Sequence, residues 1–237
     1  MSLLTDTDVR LILCNEKGWT DKSKLHIYPY EEECLTPIGY DVRVGNQYAS
    51  AIDAAIFELG SDGKVEIRPG DTVLITTLEN IEMPLDRSIS AFITSKVSKV
   101  SLGLSHISTN IDPDWKGKLL IAMHNPSLET IALNVGESFC TLNFIKNLSP
   151  STKDCGKEPG RTDVLLNKFV SNVKAAREPE LRKKKRRNML ISCGQIIMIL
   201  LSLLVGCYFF QNGSGTIATT AVGIALATSI LNPMKKQ

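Results

Sequence analysis

The chain has 237 residues and a formal net charge of +2. This balance hides a split, because residues 181–237 carry eight basic and no acidic residues, whereas residues 1–180 carry 19 basic and 25 acidic residues, a net charge of −6. The acidic part is not a general polyanion binder, and we expect no DNA or RNA partner. Six cysteines without a CxxC spacing and three scattered histidines argue against a metal site or a disulfide framework.

The first 150 residues are enough for one domain with a sizeable core. Thr5 followed by Asp8 is a capping pattern that predicts a short helix over residues 5–15. From residue 25 to residue 144, short β-rich runs alternate with Gly, Pro and Asn turn signals, and a second short helix fits residues 96–101. Many short strands at this spacing predict a sandwich, a jelly roll or a distorted barrel.

Residues 149–161 are rich in Ser, Pro, Gly and Lys and are typical of a linker. A helix predicted to begin at Thr162 carries apolar side chains on one face, at Val164, Leu165, Phe169 and Val173. Three arrangements fit this helix. It binds a groove of the β domain, it pairs with neighbouring copies, or it continues toward the membrane after Pro179.

The C-terminal part has the pattern of a membrane hairpin. Six consecutive basic residues, 182–187, precede an apolar run over residues 189–210, which at about 1.5 Å per residue spans roughly 33 Å, the thickness of a bilayer core. A polar turn at 211–215 leads to a second apolar run over 216–231, so we predict two transmembrane helices. Basic residues flank both outer ends, which places both termini and the β domain in the cytoplasm.

Four stretches resemble motifs of the dUTPase and dCTP-deaminase superfamily, over roughly residues 3–148. They are residues 37–45 (PIGYDVRVG), 67–71 (IRPGD) with 77–79 (TLE), 111–117 (IDPDWKG), and 134–137 (NVGE) with 142–144 (LNF). Four motifs in the order of the family, after an N-terminal helix, are fairly specific for its fold. The resemblance implies a mainly β, jelly-roll-like distorted barrel that assembles as a homotrimer with nucleotide sites between subunits.

The sequence departs from the superfamily where the resemblance implies catalysis. The deaminases carry a general acid/base Glu shortly after the hairpin, but residues 117–125 (GKLLIAMHN) have Ala122 in its place. A methyl group cannot transfer a proton. In the helix motif, Lys96 takes the place of the first Arg and Ser98 keeps one hydroxyl, so a bidentate phosphate contact becomes a point charge.

Asp112 stands where the dUTPases hold the Asp that activates water, and it would be the catalytic residue if the chain were an enzyme. The Gly-rich C-terminal arm of those enzymes is replaced by the linker and apolar runs, and Thr141 stands in place of a Gln. The candidate ligand-binding residues are Asp41, Arg43, Lys96, Ser98, Asn110, Asp112 and Trp115. Structural roles also fit, since Asp112 suits a turn, Arg43 an ion pair and Trp115 a subunit contact.

The sequence thus predicts a β domain over residues 1–148, a linker with an amphipathic helix and basic block over 149–188, and a two-helix membrane hairpin over 189–237. We expect a non-catalytic, nucleotide-binding membrane effector, with cyclic nucleotides among its candidate ligands, that forms homo-oligomers in the bacterial inner membrane. Its layout is similar to two-span β-barrel effectors of bacterial antiphage systems, an analogy of architecture. The alternatives are a membrane-anchored deaminase or dUTPase and a non-binding scaffold. No cofactor is expected, apart from Mg²⁺ if a nucleoside triphosphate binds.

Overall fold

The computed structural model describes residues 2–154 and 161–209, together with residues 221, 222 and 225. The strands in these residues are β1 (Ser2–Leu3), β2 (Leu13–Cys14), β3 (Leu25–Tyr28), β4 (Leu35–Thr36), β5 (Gly39–Ser50), β6 (Ala55–Glu58), β7 (Lys64–Ile67), β8 (Thr72–Glu82), β9 (Ile89–Ser95), β10 (Ser105–His106), β11 (Asn110–Ile111), β12 (Lys116–His124), β13 (Ile131–Asn134) and β14 (Ser138–Lys146). The helices are α1 (Asp6–Ile12), α2 (Val97–Val100) and α3 (Thr162–Phe209), with a 3-10 turn at Glu32–Cys34. The prediction of a mainly β domain with a short N-terminal helix is confirmed.

The first helix forms because its N-terminus is capped locally. The Thr5 backbone N–H donates to Asp8 Oδ2 at 3.0 Å, and the Asp8 backbone N–H donates to Thr5 Oγ1 at 3.4 Å. This reciprocal pair is a capping box, which satisfies backbone donors that the helix leaves free. The helix is shorter than predicted because Leu13 has extended backbone and joins β2, which pairs with β3.

Twelve strands form one continuous sheet whose main path runs β10-β12-β8-β5-β14-β9-β11, and β7 pairs with β13 separately. The long strand β5 joins the two halves of this path, because residues 40–43 pair with β14 and residues 44–50 pair with β8. Gly45 lies at this switch. A Cβ there would lie 2.6 Å from the carbonyl oxygens of Thr76 and Thr77, so a glycine is required.

Strand β12 shows how the sheet separates its two faces. Leu119, Ile121 and Met123 are buried in the apolar core, whereas the residues between them are partly exposed. Because successive side chains of a strand point to opposite faces, Leu120 and Ala122 lie together on the outer face.

The predicted linker helix and the first predicted membrane span are one helix. Helix α3 is continuous from Thr162 to Phe209, through the basic block, with Pro179 inside it. The predicted apolar face is correct at Phe169, which packs against the β domain, and wrong in its other part. Leu166 and Val170 are the buried residues, with Phe169 beside them, whereas Val164 is 63% exposed. These side chains pack on the β domain, as the first predicted arrangement requires. The helix also continues past Pro179, as the third requires, while its approach to a membrane stays a prediction.

The chain divides into two compact units, residues 1–173 and 174–237. Within the described ranges, α3 is the one helix that is long and apolar enough to cross a bilayer, by length and composition, over Thr162–Leu204. The predicted turn at 211–215 and the second span at 216–231 lie outside the described residues. The structure therefore supports one apolar helix, and the hairpin stays a prediction.

Candidate functional site

Two of the predicted ligand-binding residues, Asp41 and Lys96, meet in one cluster. Asp41 on β5 lies opposite Thr141 on β14, and the Thr141 hydroxyl donates to Asp41 Oδ1 at 2.6 Å. Lys96, immediately before α2, donates from Nζ to Asp41 Oδ2. The Lys96 side chain keeps 24% of its surface exposed. The Lys96 ammonium group lies at the barrel surface, and Asp41 already neutralises its charge. A phosphate would therefore have to compete with Asp41 for Lys96.

Arg43 lies in a buried network instead of an open site. Its Nε donates to Glu79 Oε1 at 2.6 Å, its backbone N–H donates to Glu79 Oε2 at 3.0 Å, and Nη2 donates to the Pro29 carbonyl at 2.8 Å. Nη1 forms an ion pair with Glu31. Arg43 is thus engaged on all sides by its own chain, and a ligand contact would require part of this network to open.

The network shifts the pKa values of both partners. Burial opposes the charge on Arg43, but the hydrogen bond and the charge of Glu79 outweigh it, so the pKa of the guanidinium is raised. Glu79 is fully buried, and this burial raises the pKa of its carboxyl although Arg43 acts in the opposite direction. The buried ion pair of Arg43 with Glu79 therefore joins the first and second motifs of the family.

Lys99, on α2, is buried and not a surface lysine. It forms an ion pair with Glu137, whose other oxygen accepts from the Asn134 backbone N–H at 2.9 Å. Burial alone would raise the pKa of Glu137, but the hydrogen bonds from Lys99 and Asn134 outweigh it, so its pKa is lowered. Lys96 and Lys99 therefore attach both ends of this short helix to the barrel.

The remaining predicted residues lie around the hairpin and α2. Ser98, Asn110 and Asp112 are exposed. The carbonyl of Asp112 accepts from the Trp115 backbone N–H at 3.0 Å, which closes the turn. The Trp115 ring packs against the barrel core, and its Nε1 donates to the Gly117 carbonyl at 3.1 Å. The turn expected at Asp112 is present, whereas Trp115 packs on its own barrel; a subunit contact of Trp115 and a ligand role for these residues stay predictions.

Ala122 has apolar neighbours on the outer face of β12. It lies opposite Leu74 on β8 and two residues from Leu120, which points to the same side. Its carbonyl accepts from the Ile107 backbone N–H at 3.2 Å. The position at which the resemblance implies a general acid/base thus carries a methyl group beside two leucines.

The structure adds a histidine to the neighbourhood that the motifs did not indicate. His106 on β10 lies opposite Met123, the residue after Ala122. Its Nδ1 lies 2.5 Å from Ser95 Oγ, and its Nε2 lies 3.3 Å from the Ile93 carbonyl. A ring protonated on Nε2 satisfies both contacts, since the serine then donates and the carbonyl accepts. Both nitrogens are thereby occupied.

Two further residues were missed or undervalued at the sequence level. Glu79 belongs to the quoted TLE motif, and its partner is Arg43 on the neighbouring strand β5. Thr141 was noted only as a replacement, although it lies opposite Asp41. In the described part of the chain, no three His, Cys, Asp or Glu side chains group as metal ligands. A Mg²⁺ ion would depend mainly on ligand phosphates and stays a prediction.

Comparisons with known proteins bear on the β domain. The family model described as dCTP deaminase-like matches residues 17–147. The dCTP deaminase of Pyrococcus horikoshii is 31% identical over 151 residues, which cover 63% of this chain and 94% of that protein. The dCTP deaminase of Sulfurisphaera tokodaii is 33% identical over 179 residues, covering 70% of this chain and 92% of that protein.

Solved structures of a dCTP deaminase and a dUTPase are also similar to this chain. A dCTP deaminase from Agrobacterium tumefaciens has a TM-score of 0.49 and 14% identity over 61% of this chain and 48% of that chain. A Staphylococcus bacteriophage 80alpha dUTPase has a TM-score of 0.39 and 15% identity over 57% of this chain and 97% of that chain. We base the assignment on the sequence matches, which span more than half of the chain. The chain belongs to the dCTP deaminase-like family.

Proposed function

We propose that the barrel binds a nucleotide without deaminating it, and that α3 ties it to a membrane, so that the chain acts as a nucleotide-responsive membrane effector. The observation that carries this proposal is Ala122 on the outer face of β12, next to Leu74 and Leu120. Deamination needs a group that passes protons to the ring and to the leaving amine. General acid–base catalysis contributes about 10²–10⁴-fold to such reactions.

The structure offers no ready substitute in the register around Ala122. His106 lies near, but its nitrogens are engaged by Ser95 and by the Ile93 carbonyl. Asp41 is held by Thr141 and Lys96, and Glu79 is fully buried against Arg43. These three side chains are therefore committed to structural partners, which favours recognition over turnover.

Binding is supported by what the barrel keeps. The relatives that match it over more than nine tenths of their length are named dCTP deaminases. The Asp41–Lys96 pair remains partly exposed at one end of α2, and the hairpin with Asp112 and Trp115 is formed. A nucleotide site of this family would thus retain its outline and lose its proton-transfer group.

Membrane attachment is supported by α3. Its C-terminal half is apolar, and Leu200, Leu201 and Leu204 are all more than half exposed. Arg182 and Lys183 pair with Glu178 and Glu180 on the same helix. The basic residues that follow can contact anionic headgroups, worth about 1 kcal/mol each near a membrane surface. A two-pass topology in the bacterial inner membrane and a role in antiphage defence are part of this proposal.

Self-association belongs to the proposal as well. Apolar side chains are exposed on α2 and in the segment that follows it: Val97, Val100, Leu102 and Ile107. Contiguous exposed apolar surface often marks a protein contact. A homotrimer would cover these residues, and its mass in detergent is measured by light scattering.

Calorimetry on the full-length protein in detergent tests the proposal. We expect saturable binding of at least one compound among dCTP, dUTP and the cyclic di- and oligonucleotides, together with no release of ammonia or pyrophosphate above a protein-free control. Absence of binding to every compound would refute the nucleotide role and leave the scaffold. Binding should persist in EDTA unless the ligand is a triphosphate held through Mg²⁺.

The alternative of an anchored enzyme rests on Asp112, which the chain retains in the hairpin. It predicts ammonia release from dCTP or pyrophosphate release from dUTP. Asp112→Ala would then abolish turnover with little effect on folding, because this side chain is exposed. Asp62→Ala, at an exposed loop position outside the candidate site, is the matched control for the loss of a surface carboxylate.

A further inference from the structure

The outer sheet face that carries Ala122 extends as an apolar row across four strands. Ala122 lies opposite Leu74 on β8, and Leu74 lies opposite Ala49 on β5. Ala49 in turn lies opposite Ile56 on β6. Residues directly opposite in antiparallel strands point to the same face, so these four side chains form one surface. We refer to Ala122, Leu74, Ala49 and Ile56 as the apolar row.

The start of α3 is docked on this row. Leu166 and Val170 are one helical turn apart on one side of the helix, and both are buried. They form a cluster with Ala49, which is fully buried, while Leu74 and Ile56 pack around it. The cluster is separate from the main barrel core. This small cluster therefore joins the helix to the outside of the barrel.

Ala122 lies at the edge of the area that the helix covers. Leu120, its neighbour on β12, and Leu74, its partner on β8, both pack against the α3 cluster. The covered surface thus reaches both residues beside position 122. A larger or polar group placed there would meet side chains that hold the helix in place.

We propose that residues 162–173 of α3 are a latch, and that the docked latch and a nucleotide beside Ala122 exclude each other. This inference rests on the proposed function, which places the ligand at position 122. A nucleotide brings polar atoms that need water or polar partners, and Leu166, Val170 and Phe169 offer none. The ligand therefore gains access to this face when the helix leaves it.

The size of the contact suits a releasable device. Two helix side chains are buried, while Asn167, Lys168, Ser171 and Asn172 of the same segment are exposed. By thermodynamic linkage, the docked latch lowers the affinity for the ligand, and the bound ligand lowers the docking equilibrium constant of the latch by the same factor. Since α3 is continuous from Thr162 to Phe209, the latch is the N-terminal part of the same helix as the apolar segment.

The first test needs no ligand. Val170→Cys places a thiol in the buried contact, and its alkylation rate in the full-length protein in detergent, followed by peptide mass spectrometry, reports release. Asn167→Cys, at an exposed position of the same helix, gives the rate for an open thiol. We expect Ala122→Glu to raise the Val170→Cys rate at least tenfold, and Leu128→Glu, at a 94% exposed position, to leave it unchanged.

Equal rates in the presence and absence of Ala122→Glu would overturn the latch. Tryptophan fluorescence verifies that each variant is folded. If Ala122→Glu does not fold, Leu166→Ala decides the matter, because weakening the latch should tighten dCTP binding about tenfold in calorimetry. Unchanged affinity in Leu166→Ala would equally overturn the proposal.

The second test adds dCTP to Val170→Cys. Binding with an alkylation rate at least tenfold higher supports the latch, whereas binding with no change in rate overturns it. If dCTP and the other nucleotides fail to bind, the proposed function falls, and the Ala122→Glu comparison still decides whether position 122 and the docked helix exclude each other.

Discussion

The inside of the barrel and its outer sheet face keep the family's motifs to different degrees. Inside, the first and second motifs meet, because Arg43 is held by Glu79 through its side chain and its backbone N–H. On the outer face, Ala122 stands where the family resemblance implies a proton-transfer residue, and a helix covers the leucines next to it. Under the proposed function, contacts that hold strands together persist where the catalytic group is lost. Function therefore has to be argued from the site, not from the fold.

Removing the buried charge of Glu79 should cause the largest loss in the free energy of unfolding. Glu79→Gln leaves Arg43 largely buried with only the half-exposed Glu31 as a charged partner. Removing one partner of a buried ion pair typically costs about 3–5 kcal/mol. Urea unfolding followed by tryptophan fluorescence measures the loss.

Glu32→Gln is the matched control, since it removes an exposed partner of Arg10. Exposed ion pairs contribute little, so this variant should unfold close to the wild type. Similar losses in the two variants would mean that the Arg43 network does not hold the motifs together.

The strand switch at Gly45 should be the next most sensitive point. A Cβ there would meet two backbone carbonyl oxygens at 2.6 Å, and backbone atoms cannot move aside as a flexible side chain can. We expect Gly45→Ala to destabilise the fold by about 1–3 kcal/mol, the usual range for overpacking. Gly60→Ala, with no atom within 4 Å of the added Cβ, should have little effect in the same unfolding experiment. Equal behaviour of the two would contradict the switch.

Local signals made much of the fold predictable. The capping pair of Thr5 and Asp8 lies within one helical turn. The second short helix, predicted over residues 96–101, is present at Val97–Val100. The site depended on contacts between distant residues, such as Thr141 with Asp41, which are 100 positions apart. Such pairs depend on strand register, which no short window of sequence contains.

The C-terminal helix shows where local rules fail. A proline is unfavourable inside a helix, yet α3 passes through Pro179. Periodicity predicted a face with Val164 and Val173, but the buried face carries Leu166 and Val170, because those side chains meet Ala49 on the barrel. Tertiary packing, which the local pattern does not contain, decided the buried face.

A smaller effect should appear in acid. The folded-state pKa of Glu137 lies below its ordinary value of about 4.3, so its contribution to stability is present above that pH and is lost as the pH falls through the folded-state pKa. Glu137→Gln removes this group and should flatten the acid limb of a stability–pH curve measured by urea midpoints from pH 7 to pH 2. A variant curve parallel to the wild type would show that the Lys99 contact is not coupled to folding.

The outer face is tested most directly by following dCTP and its product in one sample. Full-length protein in detergent is saturated with dCTP, binding is measured by calorimetry, and dUTP formation is followed by chromatography. We predict saturable binding with dUTP at the level of a protein-free control, because Ala122 cannot transfer protons. Conversion at about 1 s⁻¹ or faster, the range of ordinary enzymes, would contradict the account.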